Sequence, residues 1–297
     1  MKRIPYALVD VFAPAPGAGN RVAVVLDARG MSPEEMQAVA QSLGAAEAAF
    51  LLERTGAALS VRFFAPGGEV EFSGHAAVAV GLTAARTGLV PEGTTRLYLH
   101  TPTEVLPVEL VLEAGEPRKA WVRGPAPRFR DLPPYRALRE VLEALGSDER
   151  YLHRGLPYGV AFTGLWSLSV RCIGPGVVDA LEPEMERLKA LCFRLDVATV
   201  HAYAPMGPRS FYARDFAPLL GIPEDPVTGS ANAALGALLA RAGVVPRREG
   251  KVLLTVYQGH HLGNPGVVEV QVEYSPTGEP YSVQIGGEAV IVQTGEV

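Results

Sequence analysis

The sequence predicts an α+β protein of two pseudo-symmetric lobes, each a mostly antiparallel, barrel-like sheet around a central helix. Two observations predict this fold: a long internal repeat, and strand and helix patterns that alternate in both halves. The length of 297 residues agrees with this prediction, because it is enough for about two domains.

The internal repeat is readable directly. Residues 73–90 (SGHAAVAVGLTAARTGLV) align without a gap with residues 228–245 (TGSANAALGALLARAGVV), at an offset of 155 residues. Upstream, residues 62–66 (RFFAP) match residues 214–218 (RDFAP), and the second copy carries three extra residues before its glycine. This period is far longer than the 20–50 residues of a solenoid repeat, so we expect two lobes of like fold related by a pseudo-two-fold axis.

Each copy has the same local order: a strand ending in Ala-Pro, a loop, and a small-residue helix. The helix stops are clear, because Arg86 and Arg241 precede Gly88 and Gly243 by two residues. The Pro-rich stretch 125–134 is predicted to link the lobes, which we place at residues 1–124 plus 279–297 and at residues 125–278. Further helices are predicted at residues 32–42, 134–145 and 177–191. Strands are predicted near residues 5–12, 20–26, 48–53, 59–65, 95–101, 105–113, 118–123, 158–163, 167–174, 198–205, 209–216, 251–257, 266–274, 281–286 and 288–293.

Composition excludes several classes of function. A net charge of −5 gives no attraction to nucleic acid or to an anionic membrane. No uncharged run, including the one between Asp225 and Arg241, reaches the ~18–20 apolar residues of a membrane helix, and the N-terminus lacks a signal-peptide pattern. We therefore expect a cytoplasmic protein. Cys172 and Cys192 are too few for a disulfide framework or a zinc site, and we expect buried structural thiols.

The repeat places two helix starts, Gly74-His75 and Gly229-Ser230, at equivalent positions. A helix N-terminus has unpaired N–H groups and a partial positive charge, so it binds anions without a basic side chain. If the lobes face each other, the two starts form a carboxylate trap in the cleft between them. The three asparagines, Asn20, Asn232 and Asn264, each stand near a glycine motif.

The titratable residues near these starts are His75, Glu69, Glu71, Glu224, Asp225 and, further back, Glu47. Three of them are weighed here as candidates for chemistry. Glu47 lies among small apolar residues at the start of an apolar strand, a setting that suits a general acid or base, although a surface glutamate at a strand edge is the simpler alternative. His75 could orient a substrate or carry protons, or be a structural histidine. Asp225-Pro226 could form the site or be a plain turn with its helix cap.

Other catalytic patterns are absent from the sequence. There is no P-loop, no Gly-x-Ser-x-Gly elbow and no dinucleotide fingerprint after a strand. The pair His260-His261 falls short of a metal-ligand pattern.

At this point the chain resembles the PhzF-like (phenazine-biosynthesis-like) family, within the diaminopimelate epimerase and proline racemase fold group. The resemblance covers essentially the whole chain, and its most specific segments are residues 71–76 (EFSGHA) and 221–231 (GIPEDPVTGSA). The remaining matching blocks are residues 9–12 (VDVF), 19–20 (GN), 26–27 (LD), 36–37 (MQ), 47–51 (EAAFL), 258–259 (QG) and 285–287 (IGG).

The resemblance implies a diaminopimelate epimerase-like fold, a homodimer, a small-molecule carboxylate substrate, and no metal or organic cofactor. It implies that Glu47 is the catalytic acid/base, that the glycine turns hold the substrate carboxylate, and that further residues assist in the cleft. The catalytic set implied or inferred is Glu47, His75, Asp225 and Ser230, and the substrate-binding set is Gly74, Gly229, Ser73, Thr228 and Asn20.

The chain also departs from the pattern of the fold group. Racemases of this group carry a cysteine before each glycine, where this chain has Ser73 and Thr228. Neither hydroxyl can act unaided as a base near neutral pH, so two-thiol racemization is not available. Smaller departures at Arg21, Asn264 and the alanines beside Glu47 leave the acid/base frame intact and leave the substrate open.

Three functional hypotheses follow. The first is a cofactor-independent isomerase, in which Glu47 removes a proton from an activated carbon and returns it elsewhere. The second is a two-base racemase or epimerase that adds His75 or Asp225 as the second base. The third is a non-catalytic small-acid-binding or scaffold protein that kept the lobes and lost the chemistry.

Overall fold

The computed structural model describes residues 3–297 and shows an α+β protein of two compact units. Unit 1 comprises residues 3–123 and 286–297, and unit 2 comprises Gly124–Ile285. The return to unit 1 falls inside one continuous strand, Pro280–Glu296, rather than in the turn at residue 279 where the sequence placed it.

Unit 1 is a mixed sheet with two helices. Its helices are α1 (Pro33–Leu43) and α2 (Gly74–Arg86). Its strands are β1 (Pro5–Val11), β2 (Asn20–Val25), β3 (Glu47–Thr55), β4 (Ala58–Ala65), β5 (Gly68–Val70), β6 (Arg96–His100), β7 (Val105–Glu113) and β8 (Glu116–Arg123).

The sheet of unit 1 closes on itself. Strands β1–β2, β3–β4, β4–β5, β6–β7 and β7–β8 pair antiparallel, and β2–β3 and β4–β6 pair parallel. The last strand of the chain, Pro280–Glu296, pairs with both β1 and β8, which completes the barrel. A closed barrel leaves no strand edge exposed and surrounds its contents with apolar side chains.

Helix α2 fills this barrel. Ten of its residues are buried, and it packs against β1, β2, β3, β7 and β8. A Cβ atom on Gly81 would lie 2.7 Å from Cγ1 of Val108, so glycine at this position lets the helix approach the barrel wall. The all-round apolar composition of the helix is therefore explained by burial on every face.

Unit 2 has the same kinds of element. Its helices are α3 (Tyr135–Ala144), α4 (Pro175–Asp179), α5 (Met185–Leu195) and α6 (Gly229–Arg241). Its strands are β9 (Arg128–Phe129), β10 (Gly159–Phe162), β11 (Trp166–Arg171), β12 (Thr199–Gly207), β13 (Ser210–Ala217), β14 (Ile222–Asp225), β15 (Lys251–Gln258), β16 (Gly266–Tyr274) and β17 (Pro280–Glu296), which continues into unit 1.

The pairing in unit 2 repeats that of unit 1. Strands β11–β12 and β13–β15 pair parallel, as β2–β3 and β4–β6 do, and β12–β13 and β15–β16 pair antiparallel. Helix α6 has eleven buried residues, and a Cβ atom on Gly236 would lie 2.6 Å from Cγ1 of Val270. The two central helices thus share length, burial and a glycine contact.

The predicted repeat corresponds to matching element bounds in the two units. Helices α2 and α6 differ by 155 residues at both ends, while β3 and β12, β4 and β13, and α1 and α5 differ by 152 residues. These offsets define the equivalent positions of the two units.

Some predicted elements need correction. The single helix predicted at residues 177–191 is two helices, α4 and α5, because Pro183 lies in the break between them. The strands predicted at residues 281–286 and 288–293 form one strand, β17. The predicted linker at residues 125–134 contains the short strand β9, which pairs with β10. Strands β5 and β14 were not predicted, since three or four residues carry too little alternation.

Helix α1 begins as predicted. Ser32 and Glu35 form a capping box, with the Ser32 Oγ accepting from the Glu35 N–H at 3.2 Å and the Glu35 carboxylate accepting from the Ser32 N–H at 2.7 Å. Cys172 and Cys192 are free and buried. None of the helices within residues 3–297 is both long and apolar enough to cross a bilayer.

Candidate functional site

Glu47 is the first residue of β3 and lies four residues after Leu43, the last residue of α1. Gly44 ends that helix in the left-handed conformation, and the chain then joins β3 to β2 with Glu47 opposite Val22. The side chain is 19% exposed, yet its Oε2 atom is buried and has no hydrogen-bond partner within residues 3–297. A buried carboxylate oxygen without a partner is costly unless a ligand or a proton occupies it.

His75 is the second residue of α2, and its ring lies beside this carboxylate. Its Nε2 atom is also buried and has no hydrogen-bond partner in the described chain, and it lies 3.8 Å from the Glu47 Oε2 atom. This separation is too long for a hydrogen bond between the two side chains. Two adjacent polar atoms, both unsatisfied, can be satisfied together by one bound group.

The start of α2 adds N–H donors next to this pair. Ser73 caps the helix, its Oγ accepting from the Ala76 N–H at 3.2 Å, and the same oxygen lies 3.4 Å from the His75 Nδ1. Gly74 is buried at the first helical position, and no acidic residue occupies the first turn. The first N–H groups of a helix have no partner within it, so this end of α2 suits a carboxylate.

The corresponding helix start in unit 2 has a different hydrogen-bond arrangement. Thr228 precedes Gly229 as Ser73 precedes Gly74, but its side chain does not cap α6. Instead, the Thr228 Oγ1 donates to Asp225 Oδ2 at 2.6 Å. Asp225 ends β14 and is half-buried, so its carboxylate is held by a hydroxyl while it retains access to solvent.

Gln258 supports this turn and was not singled out as a site residue from the sequence. It is fully buried at the end of β15, and its Nε2 donates to the Asp225 carbonyl at 2.9 Å. Its Oε1 accepts from the Thr228 N–H at 3.2 Å. The neighbouring Gly259 has φ +87°, and a Cβ atom there would lie 2.7 Å from the Pro226 carbonyl oxygen. The only sequence signal was the Gln-Gly pair within the family resemblance.

Ser230 and Asn20 complete the predicted set. Ser230 is half-buried at the second position of α6, and its carbonyl accepts from the Thr163 Oγ1 at 2.7 Å. Asn20 is buried at the start of β2, after Gly19 in the left-handed conformation with φ +68°. A Cβ atom on Gly19 would lie 2.1 Å from the Val11 carbonyl oxygen, so only glycine brings Asn20 to this position.

The structure thus groups the predicted residues within each unit. In unit 1 it brings Glu47, His75 and Ser73 together at the start of α2. In unit 2 it brings Asp225 and Thr228 together immediately before Gly229, with Ser230 following on α6.

Other acidic residues near the glycine turns have structural roles. Glu69 pairs with Arg62 at 2.5 Å, and Glu224 pairs with Arg214 at 2.8 Å. Arg62 and Arg214 are equivalent positions of the repeat, so this ion pair is a shared feature of the fold. Glu71 is exposed. These three carboxylates are therefore set aside as acid/base candidates.

The counterpart of Glu47 in unit 2 is Thr199, since both residues begin the equivalent strands β3 and β12. Thr199 is buried, and its Oγ1 donates to the Ser167 Oγ at 2.8 Å. A satisfied hydroxyl is not a base near neutral pH. The two units consequently differ at this position, where unit 1 has a carboxylate and unit 2 has a hydroxyl.

No group of three or more His, Cys, Asp or Glu side chains within residues 3–297 has the geometry to hold a metal ion. A cavity of about 610 Å³ lies elsewhere in unit 1, lined by residues that include Asp27, Arg29, Leu51 and Thr55. It contains neither Glu47 nor His75, and its Asp27 and Arg29 pair with each other at 2.7 Å. This cavity is therefore separate from the candidate site at the start of α2.

Two repeated units with barrel-like sheets around buried helices, and polar residues at both helix starts, define the class of diaminopimelate epimerase-like proteins. Residues 9–295 match the model of the PhzC-PhzF family, described as phenazine biosynthesis-like protein. The chain belongs to this family.

Two relatives of the chain are named isomerases. The chain is 45% identical over 292 residues to an uncharacterized isomerase of Deinococcus radiodurans, covering 98% of this chain and 93% of the relative. It is 30% identical over 298 residues to the trans-2,3-dihydro-3-hydroxyanthranilate isomerase of Pseudomonas fluorescens, covering 98% of each. The chain is accordingly an enzyme of the isomerase type.

Solved structures agree with the fold. A PhzF-family phenazine biosynthesis protein of Bacillus anthracis matches with a TM-score of 0.88 and 29% identity, covering 100% of this chain and 99% of the other. A hydroxyproline epimerase of Agrobacterium vitis matches with a TM-score of 0.67 and 12% identity, covering 100% of this chain and 91% of the other. At that identity the second likeness concerns the fold alone.

Proposed function

We propose that this protein is a cofactor-independent isomerase that moves a proton on a small carboxylate-bearing metabolite, with Glu47 as the general acid/base. The observation that carries the proposal is the pair of buried, unpartnered atoms, Glu47 Oε2 and His75 Nε2, 3.8 Å apart at the start of α2. A carboxylate that is not hydrogen-bonded by the protein is free to exchange a proton with a bound carbon acid.

The remaining site residues have distinct proposed roles. The N–H groups at Gly74 and Gly229 bind the substrate carboxylate and the negative charge that develops when the proton leaves. His75 and Asp225 orient the substrate and assist proton transfer, and Ser73, Thr228, Ser230 and Asn20 shape the binding surface. A substrate site in a cleft between the lobes is a prediction from the sequence. Cytoplasmic location and a homodimer remain predictions from the sequence.

Two observations favour an isomerase over a two-base racemase. Glu47 has Thr199 as its counterpart, and the positions held by cysteines in racemases of this fold group hold Ser73 and Thr228. A single strong base that removes a proton from one carbon and returns it to another needs no partner on the opposite face of the substrate.

Solvent exchange tests the proposal. The protein is incubated in D₂O with a panel of unsaturated and cyclic carboxylates that includes trans-2,3-dihydro-3-hydroxyanthranilate, the compound in the name of the Pseudomonas fluorescens relative. Mass spectrometry and proton NMR follow the deuterium. We expect deuterium at a new carbon of a rearranged product, without added metal or cofactor. Deuterium confined to a stereocentre of recovered substrate would indicate a racemase, and no exchange with any member would count against an active isomerase.

A further inference from the structure

A buried chain of hydrogen bonds leads from the interior of unit 2 to Asp225. His201, Asp215, Asn232 and Gln258 are each fully buried. His201 Nδ1 lies 3.0 Å from Asp215 Oδ1, and its Nε2 lies 3.2 Å from Asn232 Oδ1. Asn232 Nδ2 donates to Gln258 Oε1 at 2.7 Å, and Gln258 in turn contacts both Thr228 and the Asp225 carbonyl.

Backbone groups fix the orientation of the two side-chain amides in this network, those of Asn232 and Gln258. The Thr228 carbonyl can only accept, and it receives Asn232 Nδ2 at 3.0 Å. The Thr228 N–H can only donate, and it requires Gln258 Oε1 at 3.2 Å. Rotating either amide by half a turn would place like groups against each other, so each has a single satisfactory orientation.

This orientation determines where a proton resides on His201. Asn232 presents its Oδ1 to the imidazole, so His201 Nε2 must carry a hydrogen to satisfy the contact. On the other side, Nδ1 lies within hydrogen-bond distance of Asp215 Oδ1, at 3.0 Å. The donors then run in one direction, from His201 through Asn232, Gln258 and Thr228 to the carboxylate of Asp225.

Unit 1 shows that the fold does not require this hydrogen-bond network. The positions equivalent to His201, Asp215 and Asn232 hold Ala49, Phe63 and Ala77, all fully buried. The same helix-in-barrel core is therefore built with apolar residues in one unit and with a polar network in the other. Since an apolar set is compatible with the architecture, and a buried ion pair is weak evidence for stability, the network calls for a different reason.

We propose that His201, Asp215 and Asn232 are positioning residues, which act through Gln258 and Thr228 to fix the Asp225 carboxylate and the start of α6 for catalysis. This inference rests on the proposed function, because Asp225 belongs to that site. The network fixes both the backbone and the side chain of Asp225, because Gln258 donates to its carbonyl and Thr228 donates to its carboxylate. Loss of the network would let the carboxylate turn away without unfolding the unit.

The first test transplants the apolar set of unit 1 into unit 2. The triple variant His201→Ala, Asp215→Phe, Asn232→Ala is expected to fold with a melting temperature no lower than that of the wild type. Its kcat for deuterium exchange is expected to fall about tenfold or more, with KM changed less than about twofold, because misplacement of a reacting group reduces turnover. His201→Gln, which keeps a donor toward Asn232, is expected to retain more activity than His201→Ala.

A matched control removes a buried hydrogen bond that lies outside the network between His201 and Asp225. Thr199→Val breaks the contact of Thr199 with Ser167 on the same sheet, and its kcat is expected to stay at the wild-type value. Wild-type kcat in the triple variant would overturn the proposal. An equal loss of kcat in Thr199→Val would overturn it as well, since the loss would then follow any buried polar change.

A second measurement does not depend on activity. Nitrogen NMR of uniformly labelled protein, with His201 assigned by comparison with His201→Gln, is expected to show a directly bonded hydrogen on His201 Nε2 near pH 7. An unprotonated Nε2 would overturn the proposed chain even if every enzymatic test succeeded. If the wild type exchanges no carboxylate, the proposed function fails separately, and this spectrum still decides the direction of the hydrogen bonds.

Discussion

Ser73 and Thr228 hold equivalent positions before the two central helices, but their hydroxyls have opposite roles. The Ser73 Oγ accepts a hydrogen bond from the Ala76 N–H and caps α2, whereas the Thr228 Oγ1 donates to Asp225 and leaves α6 without a side-chain cap. One hydroxyl therefore stabilises a helix, and the other holds a candidate catalytic carboxylate.

Ser73→Ala is expected to lower the free energy of unfolding by about 1 kcal/mol, because α2 loses its side-chain cap. Urea unfolding followed by circular dichroism measures this loss. The same experiment on Thr228→Ala is the comparison, since that residue provides no cap. A larger loss in Thr228→Ala with no loss in Ser73→Ala would show that the caps are assigned to the wrong unit.

Thr228→Val should instead act on turnover. The substitution keeps the size of the side chain but removes the 2.6 Å hydrogen bond to Asp225, so that carboxylate loses its orientation. We expect the exchange rate to fall by roughly tenfold, with substrate binding nearly unchanged. Steady-state kinetics with the exchanging carboxylate measures both quantities. Thr228→Ser is the control and should keep most of the activity, and equal activity in the two variants would refute the role.

Gly236→Ala tests the close contact of α6 with its barrel. An added Cβ would lie 2.6 Å from Cγ1 of Val270, so the usual helical preference for alanine is outweighed and about 1–3 kcal/mol of stability is lost. Thermal unfolding measures this cost. The double variant with Val270→Ala removes the clashing methyl groups and should be no less stable than Val270→Ala alone. If the double variant were less stable than Val270→Ala alone, the contact with Val270 would not be the cause of the lost stability.

The two buried thiols predict a pH effect on stability. Burial raises the pKa of Cys172 and of Cys192 from about 9 to about 12. The folded protein therefore holds these protons more tightly than the unfolded chain, and stability is full below pH 9 and declines from pH 9 toward pH 12. Each thiol contributes at most about 1.4 kcal/mol per pH unit in that range.

Urea unfolding at pH 8 and pH 10 measures this decline, with Cys172→Ala and Cys192→Ala as variants that should reduce it. At pH 8 the native thiols should also resist alkylation by iodoacetamide until the protein is unfolded. Rapid alkylation of the native protein would contradict the burial of these side chains.

The sequence was sufficient to predict the repeat, the two central helices and the local groups at their starts. These features depend on short segments whose spacing is preserved between the copies, as the matching bounds of α2 and α6 show. The break between α4 and α5 was missed because the apolar spacing continues across Pro183. Short strands such as β14 form only because β13 is available for pairing.

The buried chain at His201 could not be predicted from periodicity. Its members are separated by 14 to 31 residues, and each stands in a segment with an ordinary apolar pattern. A signal was present in the repeat, where Asp215 replaces Phe63 within an otherwise matching block. A buried polar residue at a position where the other copy has an apolar residue indicates a feature that only one unit has.

The most direct test of the account compares Glu47→Gln with Glu53→Gln in solvent-deuterium exchange. Both residues lie on β3, but Glu53 is exposed, so the second variant controls for the loss of a carboxylate on the same strand. We predict that Glu47→Gln lowers the exchange rate by roughly 10²–10⁴-fold while the protein still binds anthranilate, a stable aromatic carboxylate, and that Glu53→Gln exchanges at the wild-type rate. Wild-type exchange by Glu47→Gln would contradict the assignment of Glu47 as the acid/base.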